Sequence, residues 1–180
     1  MIAYYAKYTE DHHGSLDRIG GLPSHLPDAD PACDCANQMQ FLAQIYFQGK
    51  VIEFINSDCM AIQLYSCPDC MENRIIALSD TAKVNGDGSG RAWPKTQYWC
   101  DINWTEQTDP APSADVGQYW RDDNILPEYE HLLNDKIGGF FPTVDHDGTT
   151  ASELGIVAQL SLDLTTYITK QNEAWTFFQH

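Results

Sequence analysis

The sequence predicts a mainly β protein of the α+β class, built from two pseudo-symmetric β-rich repeats that share one core, with short helices and a zinc-tied loop. Three observations predict it: short apolar runs separated by turn residues, a sequence motif that occurs twice, and two close cysteine pairs. The chain has 180 residues, 43% hydrophobic and 12% aromatic, so it can bury a core, which excludes wholesale disorder. We expect a single domain over residues 1–180.

Seven apolar or aromatic runs are predicted to be strands, because they are short and are bounded by turn residues. They cover residues 1–8, 40–47, 61–65, 74–78, 93–104, 154–164 and 173–178. Three prolines between residues 23 and 37 forbid a helix there and favour an extended loop. A short helix is predicted from Pro127 to Leu133, because proline suits a first turn and the acids that follow it lie near the positive end of the helix dipole.

An internal repeat relates two parts of the chain, about 15–80 and 130–178. Asp17-Arg18-Ile19-Gly20-Gly21-Leu22 reappears as Asp135-Lys136-Ile137-Gly138-Gly139-Phe140, and each copy precedes an apolar strand that contains Gln44 or Gln159. A glycine pair suits a tight turn with positive φ or a close backbone approach. We expect each buried glutamine to bond the backbone of a neighbouring loop. A purely architectural role for both motifs stays open.

Two close cysteine pairs predict a structural zinc site. Cys33-Asp34-Cys35 and Cys67-Pro68-Asp69-Cys70 offer four thiolates, which suit tetrahedral zinc. The first pair has the less usual spacing, which an irregular proline-rich loop accommodates. Cysteines that only pack, or a disulfide between the pairs, are the alternatives. Cys59 and Cys100 are isolated and are interpreted as small core residues.

The motifs also resemble two known families. Four motifs, in their order along the chain, resemble the programmed cell death protein 2 family. They are Gly20-Gly21-Leu22-Pro23, Cys33-x-Cys35, a Phe-Leu-x-Gln-x-Tyr strand at 41–46 and Cys67-x-x-Cys70. The doubled Gly-Gly…Gln pattern resembles the bacterial YwqG-like family. The resemblance covers residues 15–80 well and 125–164 more loosely.

This resemblance implies a mostly β fold of two repeats with no recognised catalytic residue. It also implies protein binding: the eukaryotic relatives are chaperones of a basic ribosomal protein, and bacterial relatives of the YwqG type resemble immunity proteins beside secreted toxins. The chain departs from the pattern in the C-x-C spacing of its first pair and in having no cysteine pair after Gly139, so a second zinc is not expected.

Charge and the N-terminus set expectations for partners and compartment. The formal net charge is −16, which disfavours nucleic acid and anionic membranes and favours a basic protein partner. The first eight residues lack the basic start and cleavage site of a signal peptide, so we expect a cytoplasmic protein with reduced cysteines.

An acidic, aromatic segment at residues 104–135, with an adjacent acidic loop, is the predicted partner-binding surface. It combines aromatic anchors with surrounding carboxylates, as interface centres do. The predicted contact residues are Trp104, Tyr119, Trp120, Asp122, Asp123, Glu128, Tyr129, Glu130, Asp145 and Asp147. The alternative is that the aromatics are core residues and the acids a solvated face.

These patterns predict a non-catalytic immunity protein that neutralises a cognate secreted toxin domain by direct binding. No recognised nucleophile, phosphate-binding or metalloprotease motif is present, so we expect no enzyme activity and no catalytic residue. A chaperone that shields a basic ribosomal protein is the alternative. A metal-assisted hydrolase that uses Asp145, His146 and Asp147 is the second alternative.

Overall fold

The computed structural model is mainly β. It describes residues 1–9, 15–27, 29, 31–51, 59–84, 100–109, 134–139, 141, 156–162, 165–171 and 174–179. These residues contain twelve strands and no helix. None of them therefore forms a helix long and apolar enough to cross a membrane.

The chain divides into two compact units. The central unit comprises Lys7–Lys50 and Ile55–Asn103, and the discontinuous unit comprises Met1–Ala6, Val51–Phe54 and Trp104–His180. Two strands, β1 (Ile2–Thr9) and β8 (Cys100–Thr108), contribute residues to both units.

The central unit contains an antiparallel sheet in the order β8, β2, β4, β5, β6. Its strands are β2 (Arg18–Ile19), β4 (Gln40–Tyr46), β5 (Ala61–Ser66) and β6 (Asn73–Leu78). A separate ribbon pairs β3 (His25–Leu26) with β7 (Lys83–Val84). All six residues of β5 are buried, so this strand runs through the core of the unit.

The discontinuous unit has the strand order β12, β11, β10, β9, β1, β8. Its other strands are β9 (Lys136–Gly138), β10 (Ile156–Ser161), β11 (Thr165–Gln171) and β12 (Ala174–Gln179). Ile137, Ala158, Leu160 and Ile168 are fully buried and form its apolar centre.

The strand predictions agree with most of these elements. Strands overlap each of the seven predicted runs, although residues 93–99 lie outside the described residues. β11 was missed, because threonines and a lysine interrupt its apolar pattern. The helix predicted from Pro127 to Leu133 also lies outside the described residues, so the short helices stay a prediction.

The two copies of the repeated motif have the same strand register. β2 pairs with β4 as β9 pairs with β10. The opposed residues are Arg18 with Gln44 and Ile19 with Ala43 in one copy, and Lys136 with Gln159 and Ile137 with Ala158 in the other. The β4–β5 and β10–β11 ladders each have a register shift at the position that the repeat aligns. It lies between Phe41 and Ala43 in β4 and between Ile156 and Ala158 in β10.

The flanking strands add a further match. The Ile102 amide donates to the Asp17 carbonyl at 2.8 Å, and the Ala6 amide donates to the Asp135 carbonyl at 2.8 Å. Both glycine pairs also have positive φ, at 73° and 66° for Gly20 and Gly21 and at 67° and 75° for Gly138 and Gly139. The positive φ that the sequence predicts for these turns is thereby confirmed.

Gln44 binds a loop backbone, as expected from the sequence. Its Nε2 donates to the Leu16 carbonyl at 2.8 Å, and its Oε1 accepts a bond from Gln63 Nε2 at 2.6 Å. Gln63 in turn donates to the His25 carbonyl at 2.6 Å, and Tyr65 donates to Gln63 Oε1 at 2.8 Å. These buried amides therefore fix the segment from Leu16 to His25 against β4 and β5.

A buried ion pair lies at the centre of the discontinuous unit. Lys136 Nζ is 2.9 Å from Asp109 Oδ2, and both side chains are 0% exposed. The Tyr5 hydroxyl donates to Asp109 Oδ1, and the ammonium lies 5.3 Å from the centroid of the Tyr5 ring. Burial lowers the pKa of Lys136 and raises the pKa of Tyr5, in the latter case together with the bond to Asp109.

Substitution of Gly139 tests how closely the backbone approaches this pair. Gly139 has a φ of +75°, and a Cβ there would lie 2.3 Å from Asp109 Oδ2 and 2.5 Å from Ala3 Cβ. We therefore expect Gly139→Ala to lower the free energy of unfolding by about 2–3 kcal/mol, measured by urea denaturation.

Gly49 provides the matched control, because its φ is +79° but a Cβ there would meet nothing within 4 Å. Gly49→Ala should cost only the strain of the left-handed backbone, about 1 kcal/mol. Equal losses for the two variants would contradict the close approach at Gly139.

Candidate metal centre

The first cysteine pair lies on a tight backbone turn that we call the first knuckle, residues 33–37. The Cys33 amide donates to the Asn37 carbonyl and the Ala36 amide donates to the Cys33 carbonyl, both at 2.9 Å. Ala36 has a φ of 67°, a left-handed conformation that reverses the chain directly after Cys35. The turn therefore solves the geometric difficulty of a C-x-C pair, since its cysteines are not on a regular strand.

The second pair lies on the second knuckle, residues 67–72, at the tip of the β5–β6 hairpin. The Cys67 amide donates to the Glu72 carbonyl at 2.8 Å, and the Met71 amide donates to the Cys67 carbonyl at 3.1 Å. Met71 has a φ of 62°, so a left-handed residue again follows the second cysteine. The predicted turn at Cys67–Cys70 is thus confirmed.

The two knuckles bring four sulfur atoms together. The Sγ atoms of Cys33, Cys35, Cys67 and Cys70 all lie within 4.8 Å of one another. Sγ of Cys33 is 3.1 Å from Sγ of Cys70 and 3.1 Å from Sγ of Cys35, which is itself 3.5 Å from Sγ of Cys67. A tetrahedral ion with metal–sulfur bonds of about 2.3 Å places its sulfurs about 3.8 Å apart. The four cysteines could therefore hold a metal ion after a small expansion.

The four clustered cysteines form no disulfide, so the disulfide alternative does not apply to this structure. Two of the four clustered cysteines, Cys33 and Cys67, are buried, and the other two, Cys35 and Cys70, are exposed. Cys59 and Cys100 lie outside the cluster, as their isolation in the sequence predicts, but they are half-buried and not core residues as expected.

An apolar cluster covers the buried side of the site. Cys33 and Cys67 pack with Met39, Phe41 and Tyr65, with the Phe41 and Tyr65 rings edge to face at 5.8 Å. This packing fixes one cysteine of each knuckle to the strands of the core, while the other faces the surface. An ion at this place would join the surface loop to the core.

Polar and charged side chains also join the two knuckles. Glu72 Oε2 accepts bonds from Cys33 Sγ at 2.9 Å and from the Asp34 amide at 3.2 Å. Arg74 Nη2 lies 2.6 Å from Glu72 Oε1 and 3.3 Å from Asp34 Oδ1. Asn37 Nδ2 also donates to Asp69 across the two turns. These hydrogen bonds and ion pairs thus hold the two knuckles, and with them the four sulfur atoms, in place.

These contacts change the acidity of the site. The thiol of Cys33, followed by the Arg74 guanidinium, lowers the pKa of the Glu72 carboxyl to about 2. The same contact with Glu72 raises the pKa of the Cys33 thiol. At Cys67, hydrogen bonding from the Cys70 backbone is the main reason that the pKa falls to about 7. Backbone donors near Cys67 thus favour its thiolate, the form that binds a metal.

Sequence reasoning missed Glu72, Arg74 and Asn37, which surround the sulfurs. The alternation of Cys70, Glu72 and Arg74 was visible in the sequence, but it did not indicate that Glu72 would bond the amide of Asp34, which is far away along the chain. Only the pairing of the knuckles in space reveals that contact.

The structure describes only one of the ten residues that are predicted to contact a partner. Trp104 lies on β8 and is half-buried. The other nine predicted contact residues lie outside the described residues, and so does the alternative hydrolase site at Asp145, His146 and Asp147. The structure therefore brings together the predicted metal ligands, whereas the predicted partner surface stays a prediction.

No protein-family model matches the chain, and no curated protein matches it either.

Proposed function

We propose that this protein is a non-catalytic, acidic binding protein whose central unit is stabilised by a structural zinc ion, and that it acts as an immunity protein against a basic toxin domain. The observation that carries the zinc part is the convergence of four cysteine sulfurs within 4.8 Å on two knuckles. The observation that carries the binding part is the net charge of −16. The likeness to the YwqG-like family, read from the sequence motifs, points to the same role.

Zinc is the ion that this donor set favours. Four thiolates suit an ion that prefers soft ligands and tetrahedral geometry, and zinc is the commonest such ion in structural sites. The four protein ligands would close the coordination sphere, leaving no position for a substrate or an activated water. The proposed ion thus stabilises the fold and has no catalytic role.

Ion pairing inside the protein leaves its net negative charge unchanged. Lys136 and Lys170 are buried, and Lys50 pairs with Asp17 at 3.4 Å with a side chain that is only 10% exposed. Arg74 pairs with Glu72 and Asp34. Each such pair uses at least one acid for its base, and four acids (Asp17, Asp101, Asp109 and Asp135) are themselves buried, so the net charge of −16 is not changed by pairing. Acids such as Asp69, Asp80 and Glu106 are exposed. A field of this sign speeds the capture of a basic partner.

The proposal includes an ancient internal duplication. The equal registers, equal ladder irregularities and equal glycine φ signs support it, because all three recur at positions that the repeated motif aligns. A duplicated β framework in which only one copy carries the cysteines would make the metal a later addition to the central unit.

Metal analysis of protein purified without chelator tests the zinc part. We expect about one zinc per chain, with the four clustered thiols protected from alkylation until a chelator is added. A metal content of zero, with four thiols that react freely in the native protein, would contradict the proposal.

A rescue assay tests the immunity role. Each toxin-like gene found beside this one is expressed in a sensitive host, with and without this protein, and we expect the toxin-expressing cells to grow only when this protein is also made. The double variant Trp120→Ala, Asp122→Lys should weaken protection, because it removes a predicted aromatic anchor and reverses a predicted contact charge.

An added positive charge away from the predicted surface is the control for that assay. Gln48→Lys alters an exposed residue after β4 and should leave protection intact. If no neighbouring toxin is neutralised and a ribosomal protein co-purifies instead, the chaperone role replaces immunity. Hydrolytic turnover that depends on Asp145 or His146 would support the enzyme instead.

A further inference from the structure

Among the residues that the structure describes, strand β6 is an edge of the sheet in the central unit. Within the described part of the chain it pairs with β5 alone, and it is the last strand in the sheet order. The pairing is regular over all six residues, from Ser66 opposite Asn73 to Ala61 opposite Leu78, with no bulge. Asn73 and Ala77 are exposed. The strand therefore presents a straight edge to its surroundings.

The outward backbone groups of this edge follow from the ladder. The bond from the Cys67 amide to the Glu72 carbonyl marks a hydrogen-bonded pair, and such pairs alternate along antiparallel strands. The N–H and C=O groups of Asn73, Ile75 and Ala77 therefore point away from β5. Proteins usually protect such an edge with a proline, a bulge or an outward lysine, and β6 has none of these.

The charges around β6 decide what would pair with it. The strand is bounded by Glu72 and by the exposed Asp80, and the exposed acids Asp34 and Asp69 lie on the knuckles at its start. Its own cation, Arg74, is neutralised by Glu72 and Asp34. A second copy of this chain would bring another charge of −16 to the same place, so like-charge repulsion opposes self-pairing.

We propose that β6 is the strand to which an extended basic segment of the partner adds, so that recognition occurs by β-strand addition. Main-chain bonds to Asn73, Ile75 and Ala77 would supply the pairing, and lysines or arginines on the added strand would lie near the acids at both ends of β6. The metal knuckles at the hairpin tip hold this edge in shape. This inference depends on the proposed function, in which the partner is a basic protein.

A synthetic peptide provides the test. The probe is a fluorescent peptide of about twelve residues that alternates lysine with valine or threonine, added to the full-length, zinc-loaded protein. We expect saturable binding by fluorescence anisotropy and slowed hydrogen exchange at the amides of Ile75 and Ala77 on binding. The matching peptide with glutamate in place of lysine should not bind.

Two substitutions at one residue separate main-chain pairing from charge. Ala77→Pro removes an outward N–H and should weaken binding about tenfold, whereas Ala77→Val keeps that N–H and should change it less than about twofold. Asp80→Lys gives a second, independent readout, with a severalfold loss that diminishes at high salt because the contact is electrostatic.

Three outcomes would overturn the inference. A lysine peptide of equal charge but with proline at every third position should not bind, because it cannot pair as a strand, so equal binding by it would mean that charge alone attracts the probe. Sedimentation of the free protein as a dimer with β6 amides protected would assign the edge to a second copy. Absence of peptide binding in a protein that still rescues cells from the toxin would refute β6 as the site and leave the immunity role standing.

Discussion

Cys67→Ser is expected to release the metal and to lower the free energy of unfolding by about 4 kcal/mol. An ion that binds only the folded state contributes about this amount when its free concentration exceeds the dissociation constant by about a thousandfold. Cys67 is fully buried against the apolar cluster, so a serine there also places a polar hydroxyl next to Phe41 and Tyr65. The measurement is metal content together with urea denaturation of both proteins.

Cys59→Ser is the matched control for this substitution. Cys59 lies outside the metal cluster, is half-buried, and its Sγ donates to the Ala61 carbonyl at 3.4 Å, a bond that a serine hydroxyl can replace. We expect a change of about 1 kcal/mol or less and an unchanged metal content. Loss of metal from the Cys59 variant, or full retention by the Cys67 variant, would show that the cluster is not the binding site.

Lys136→Met should destabilise the protein by about 3–5 kcal/mol, because it leaves the Asp109 carboxylate buried without its cation. The Tyr5 hydroxyl would still donate to Asp109, but one neutral donor does not compensate a buried charge. Thermal and urea denaturation would measure the loss. Lys50→Met is the control, because the Lys50–Asp17 pair is longer, at 3.4 Å, and both side chains keep about a tenth of their surface exposed.

The double variant Lys136→Met, Asp109→Leu separates the cost of an unpaired charge from the value of the pair. Removing both charges should recover most of the stability, since well-packed apolar groups often replace a buried ion pair without loss. A double variant as unstable as Lys136→Met alone would indicate that the shape of the pair, and not the unpaired charge, is what matters.

Local patterns were enough to predict most strands and all four clustered cysteines. Runs such as residues 61–65 combine β-branched and aromatic residues between turn signals, so propensity and burial agree there. The cysteine pairs were found because each pair is close along the chain, and the geometry of a turn brings such neighbours together in space.

Long-range polar contacts could not be predicted in the same way. Lys136 was recognised as the counterpart of Arg18 in the repeat, but its burial depends on Asp109 and Tyr5, which reach it through the pairing of β9 with β1. Glu72 is a similar case at the metal site. β11 was missed because its pattern Thr-Thr-Tyr-Ile-Thr-Lys-Gln is polar, and its stability comes from the strands on both sides.

The division of the chain between the units has a consequence for synthesis on the ribosome. The central unit draws on residues 7–103, whereas β1 needs partners that are made much later: the Met1 carbonyl accepts from the Asp109 amide, and the Ala6 amide donates to the Asp135 carbonyl. At the usual rate of about 5–20 residues per second, several seconds separate the emergence of β1 from that of β9. The nascent chain therefore carries β1 without these partners during that interval, and a chaperone that recognises exposed apolar strands would bind it then.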